Sequence, residues 1–116
     1  MGLISIAMVS AHENLALILT LSFLTEFDVL INTYLTDAQL RLQLIEQGIS
    51  AQNYEQVRLA AHSLKGASAN IGALQLAQLC EHLEHDCKAE DYSRLSILFS
   101  NTVNEVEVVK NLLNNL

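Results

Sequence analysis

Between Phe27 and Ile45 the apolar residues Phe27, Leu30, Ile31, Tyr34, Leu35, Ala38, Leu42 and Ile45 recur at intervals of three and four. That spacing draws a single stripe along an α-helix and no continuous face on a strand. The pattern returns three times. Val57, Ala60, Ala61, Leu64, Ala67 or Ser68, and Ile71 make one seam. Leu76, Ala77, Leu79, Cys80, Leu83 and Cys87 make the next, and Leu95, Leu98, Phe99, Val103, Val106, Val109 and Leu112 the last. The chain contains no proline and only four glycines, so little interrupts these runs. An all-α fold follows.

The seams define helices over about Thr25–Gln47, Asn53–Asn70, Ala73–Lys88 and Tyr92–Leu113. Thr25, with Glu26 and Asp28 behind it, resembles a helix N-cap. Gly48 fits the position just past a helix end, and Gly72 a second stop. Upstream, Ala11–Leu24 is apolar nearly all round, which predicts a largely buried helix. The short connections "ISAQN" and "KAEDY" place neighbours antiparallel. The expected architecture is an antiparallel up-and-down four-helix bundle, with an additional N-terminal helix left open. With 116 residues, no repeat and no linker, it forms one domain over residues 1–116, residues 1–10 being its uncertain part.

Charge narrows the partners. The formal net charge is -7, and residues 1–50 hold one basic residue, Arg41, against five acidic ones. No basic stripe is present for nucleic acid, and anionic membrane surfaces are disfavoured for the same reason. The N-terminal run "MGLISIAMVS" has no Lys or Arg before it and is broken by His12, Glu13 and Asn14. It is a poor signal peptide and too short to span a membrane. It reads as a first helix or a partner-binding segment. Cys80 and Cys87, two helical turns or about 10.5 Å apart, are too distant for a disulfide within one helix. Reduced thiols in a cytoplasmic protein are expected.

The stretch "AAHSLKGASANIGA", residues 61–74, carries the chemistry. With Leu64 at the centre of the buried seam, His62 lies about 160° away at 100° per residue, facing solvent. Its neighbours on that face are Arg58, Leu59, Lys65, Gly66 and Ala69. A neutral imidazole is a good phosphoryl acceptor, because a ring nitrogen attacks without first losing a proton. A nearby ammonium, Lys65, stabilises the anionic group in transfer. Gly66 has no side chain, so a partner can approach closely. Arg58 and Lys65 make this face a basic exception on an acidic chain.

The run "AAHSLKGASANIGALQLAQLCEHLE" resembles the histidine phosphotransfer (HPt) domains of multistep phosphorelays and the first domain of chemotaxis-type kinases. The motif is H-x-L-K-G, then small residues, a glycine and an L-x-x-L-C/E-x-L-E helix. Here it reads His62, Leu64, Lys65, Gly66, Ala67, Ser68, Ala69, Gly72, Leu76, Leu79, Cys80, Glu81, Leu83 and Glu84. The resemblance covers roughly Thr25–Leu113 and is most specific over 61–84. It implies a four-helix bundle that relays a phosphoryl group between His62 and aspartates of response-regulator receiver domains. A sensor hybrid histidine kinase stands upstream. It implies no cofactor of the chain's own, Mg²⁺ being supplied by the receiver, and no independent kinase activity. Lys65 would neutralise charge, Gly66 would give clearance, and Arg58, Leu59 and Ala69 would meet the partner. Some members orient the imidazole with a glutamine on the next helix. The corresponding residue here is Glu84, which can accept an imidazole N–H but would repel a phosphoryl group, so its role stays open. The protein is expected to be a monomer.

Two other readings stand beside this one. The chain could be a helical module that binds a receiver or kinase without being phosphorylated. The segment "CEHLEHDC", residues 80–87, is rich in metal-ligand types. On a helix, though, Cys80, Leu83 and Cys87 share one stripe while His82, His85 and Asp86 lie elsewhere, so no metal site is expected. His82 and His85 are expected to face solvent. No nucleotide-binding loop, kinase signature or catalytic triad is present.

Overall fold

The computed structural model describes residues 11–116, which fold into four helices. They are α1 (Ala11–Ser50), α2 (Tyr54–Asn70), α3 (Leu74–Lys88) and α4 (Leu95–Asn114). Contacts divide the chain into two compact units, Met1–Thr33 and Tyr34–Leu116. The expectation for residues 1–10 lies outside the described residues.

The second unit is an antiparallel up-and-down bundle. Its core has two clusters. One joins Tyr34, Ala38 and Leu42 of α1 to Leu64 of α2, Leu76 and Cys80 of α3, and Val106 and Val109 of α4. The other joins Ile45 to Val57, Ala60 and Ala61, to Leu83 and Cys87, and to Leu95 and Leu98. The second cluster joins the end of α1 to the start of α2, the end of α3 and the start of α4, which is the alternation an antiparallel bundle demands. Three buried hydroxyls are satisfied: Tyr34 and Ser68 share a 2.8 Å hydrogen bond between α1 and α2, and Thr102 Oγ1 donates to the Leu98 carbonyl at 2.7 Å.

The helix ends repeat one device. After α1, Asn53 N–H donates to the Gly48 carbonyl and Gln52 takes a positive φ of 55°. After α2, Ala73 N–H donates to Ser68 and Gly72 has φ 81°; after α3, Asp91 N–H donates to Asp86 and Glu90 has φ 56°. Each is a left-handed stop that satisfies the last carbonyls. Gly72 is therefore the stop its sequence position suggests. Gly48 is not: it is buried inside α1, and Gln52 takes the left-handed place. Gly48 serves a close approach instead, since a Cβ there would lie 2.7 Å from Val57 Cγ2 and 3.0 Å from the Asn53 carbonyl oxygen. The N-terminus of α2 is capped by Asn53, whose Oδ1 accepts Gln56 N–H at 3.2 Å.

Several expectations are corrected. Ala11–Leu24 and Thr25–Gln47 are one helix, because neither glycine nor proline occurs between Leu3 and Gln47. Thr25 caps nothing; its Oγ1 donates back to the Leu21 carbonyl at 2.9 Å, inside the helix. The upstream stretch is not buried: from Leu15 to Leu30, nine large apolar side chains are 50–65% exposed. By length and composition that part of α1 could cross a membrane, with a mean hydropathy of 1.7 over 18 residues. Leu30 and Leu112, placed in the seams by spacing, are both exposed. The last helix starts at Leu95 rather than Tyr92, with residues before it in turns.

Candidate functional site

The site lies on α2 and the facing surface of α3. Leu64, Ala61 and Val57 turn one face of α2 into the core, so the opposite face is presented outward. His62 stands there with 63% of its side chain exposed. Leu59 and Ala69 are exposed on the same helix. A Cβ built on Gly66 meets nothing within 4 Å. The fold therefore does not require glycine at this position, whereas Gly48 is held by its surroundings.

The imidazole is fixed from across the helix pair. His62 Nδ1 lies 2.5 Å from Glu84 Oε2. A carboxylate can only accept here, so Nδ1 carries the proton and Nε2 keeps its lone pair toward solvent. Glu84 is nearly buried, its side chain 3% exposed, yet both oxygens are occupied. Lys65 Nζ donates to Oε1 at 2.7 Å and to Glu81 Oε2 at 2.8 Å. Lys88 Nζ approaches Glu84 Oε1 more loosely at 3.9 Å. Burial opposes ionisation of Glu84, but the bonds from Lys65 and His62 outweigh it and hold its carboxyl below the ordinary value. Hydrogen bonds that Lys65 donates to Glu81 and Glu84 push it up to about 12, so it is charged throughout the neutral range.

This arrangement revises the charge of the face. Arg58 is engaged with Glu55, its Nε donating to Glu55 Oε2 at 2.8 Å and its Nη2 also paired. Lys65 is shared between two carboxylates. Neither cation is free, and the patch is a set of matched charges rather than the basic exception that the sequence suggests.

Spacing along α2 thus brings His62, Lys65 and Gly66 to one surface, with Leu59 and Ala69 beside them. Glu84 makes the contact with the imidazole that its sequence position allowed, and Lys65 is its second partner. Glu81, absent from the sequence-derived site set, completes the group. Its signal was the interval of three from Glu84, which puts both carboxylates on one face of α3. A shallow groove of about 440 Å³ runs beside His62, lined by Leu44 of α1 and by Gln56, Leu59, Ala60 and Ser63 of α2 among others.

The metal-ligand side chains of residues 80–87 point to different surroundings. Cys80 and Cys87 are buried in the two core clusters, and Asp86 is buried against Arg94, which donates from Nε and Nη2 at 2.9 Å each. His85 faces solvent as expected, whereas His82 is half-buried. Among the described residues no three His, Cys, Asp or Glu side chains converge as metal ligands. The Asp86–Arg94 pair had no sequence signal, because it joins α3 to the start of α4.

Comparison with known proteins adds to this geometry. A family model described as Hpt domain matches residues 29–116. A solved structure, the crystal structure of histidine-containing phosphotransfer protein B from Pseudomonas aeruginosa PAO1, is similar with a TM-score of 0.77. It shares 30% identity over 84% of each chain. No curated protein matches.

Proposed function

The chain belongs to the Hpt domain family, and on that premise we propose that it is a histidine phosphotransfer protein whose phosphoryl carrier is His62. The observation that carries this reading is the bond from His62 Nδ1 to Glu84, which leaves Nε2 as the exposed nucleophile.

The donor is the aspartyl phosphate of a response-regulator receiver domain. Nε2 attacks phosphorus in line, the P–N bond forms, and the P–O bond to the aspartate breaks as that carboxylate leaves. Positive charge develops on the ring as the lone pair is used. Glu84, accepting from Nδ1, stabilises that charge and holds the ring in one tautomer. Lys65 meets the objection that a carboxylate beside the imidazole would repel the phosphoryl group. Its ammonium offsets Glu84 and lies one helical turn from the ring, within reach of the transferred oxygens. The reverse reaction returns the group to a second receiver's aspartate, and a sensor hybrid histidine kinase supplies the first one. Any Mg²⁺ in the transfer is held by the receiver's carboxylates. Gly66 and Ala69 keep the surface low, and Leu59 with the adjoining groove offers apolar contact. Arg58, paired with Glu55, borders that contact.

The test is incubation with a receiver domain phosphorylated on its aspartate. Label should move to this chain and be acid-labile and base-stable. His62→Gln should take up none. Binding of the receiver without transfer of label would instead mark a non-phosphorylated interaction module. Unchanged labelling of His62→Gln would remove His62 from the reaction.

A further inference from the structure

Glu81 joins the site through Lys65. The ammonium spans the gap between α2 and α3, donating to Glu84 Oε1 at 2.7 Å and to Glu81 Oε2 at 2.8 Å. The two bonds are of like length, but their surroundings differ. The Glu84 side chain is 3% exposed and that of Glu81 51%. Glu84 also holds Nδ1 of the His62 ring.

Once His62 carries a phosphoryl group, the reading on which this inference rests, Lys65 has three anionic claimants. The phosphoryl group brings up to about two negative charges. An ammonium has three donors, so a third bond could form with the first two intact. Charge disfavours that outcome. Glu81, Glu84 and the phosphoryl group would crowd round one cation, and like charges held close repel. One carboxylate gives way. Release of Glu84 would leave an ionised carboxylate buried with too few partners, which is strongly destabilising. Release of Glu81 returns a half-exposed carboxylate to water, and an exposed ion pair is weak.

We propose that Glu81 is a positioning residue that holds the Lys65 ammonium while His62 is unmodified and yields it to the phosphoryl oxygens once His62 is phosphorylated. Glu84 keeps its bonds to both side chains throughout. The exchange breaks no covalent bond and moves no proton. The ammonium swings on its flexible stem from one anion to another. Glu81 and the phosphoryl group therefore compete for one cation, and the charge of Glu81 lowers the share of phosphoryl group that His62 holds. The pair tilts the carrier toward handing the group on.

Equilibrium transfer on the full chain tests it. Wild type, Glu81→Gln, Lys65→Met and the double variant are each incubated with a receiver domain carrying radiolabelled aspartyl phosphate. The ratio of label on His62 to label on the receiver is read when it stops changing. Glu81→Gln should raise that ratio by about two- to fivefold, the worth of an exposed ion pair. In the Lys65→Met background the same change should have no effect, because the cation for which Glu81 competes is gone. An equal gain in that background would overturn the proposal, since Glu81 would then act on the phosphoryl group without Lys65. A fall in the ratio would overturn it too, with Glu81 aiming the ammonium instead of withholding it, and so would no change. No label on the wild type would end the phosphotransfer reading itself, and this inference with it.

Discussion

A single buried carboxylate sets the surroundings of the His62 ring. Glu84 offers one oxygen to the imidazole and the other to Lys65, so ring orientation and local charge balance depend on the same group. Glu84→Ala should slow phosphoryl transfer roughly ten- to a hundredfold, the usual effect of loosening a reacting group. Glu84→Gln keeps an acceptor for Nδ1–H and should lose less than about tenfold. Rapid-quench transfer at saturating donor measures the rates. Nitrogen NMR of the His62 ring separates positioning from collapse, since the alanine variant should mix tautomers while the fold persists. Gly66 gives a prediction of opposite signs. A methyl there meets open space, so Gly66→Ala should stabilise the protein by about 0.5–1 kcal/mol in urea unfolding. Under the proposed function it should also slow transfer, because the methyl would stand in the partner's path. That His62, Lys65 and Gly66 share one surface of α2 was legible in the sequence, because their relation lies within one helix. Glu84 lies 22 residues from His62; no local spacing relates the two, the family resemblance alone marked Glu84 as able to accept from the imidazole, and the packing of α2 on α3 makes the contact.

At the scale of the helices, spacing predicted existence and type better than ends and burial. The seams of α2 and α3 were readable because three-and-four spacing fixes a face. The long α1 was not, since Thr25 can cap a helix or bond back within one, and nothing local decides. Gly48 was misread for a related reason. A glycine near a helix end suggests a stop, while a glycine at a crossing of chains suggests contact, and the contact involves Val57 of the next helix. The substitution Gly48→Ala separates these roles. A stop position with a left-handed backbone would be strained by alanine, and so would a crowded one, but only the second gives a variant rescued by trimming the neighbour. Gly48→Ala should cost about 1–3 kcal/mol through overpacking, read as a lower urea midpoint at unchanged slope. Adding Val57→Ala should recover part of the crowding loss, measured as a coupling in the double mutant.

For the whole molecule, the bundle was legible from composition and periodicity, whereas the exposure of residues 15–33 was not. An all-round apolar helix is usually buried, whereas these side chains are exposed. The acid response follows from two buried carboxylates. Burial opposes ionisation of Glu84, and Lys65 and His62 outweigh it; Arg94 lowers Asp86 against burial. Both carboxyls sit below their ordinary values of 4.5 and 3.8. Their stabilisation is therefore fully present above those values and is lost as pH falls through the folded ones. Tm should hold steady between about pH 7 and 5 and drop below about pH 4.5, which a calorimetric pH series would show.

The two core clusters each contain one thiol, Cys80 in one and Cys87 in the other. Burial pushes Cys80 up to about 12 and Cys87 up to about 11, so neither reacts while its surroundings stay closed. The chain thereby carries a clock at each end of its bundle. Alkylation followed by mass spectrometry would time the opening of each end separately, with no label introduced. Cys87, in the last turn of α3, should be modified first, and the lag before Cys80 reacts would measure how far fraying is from global unfolding.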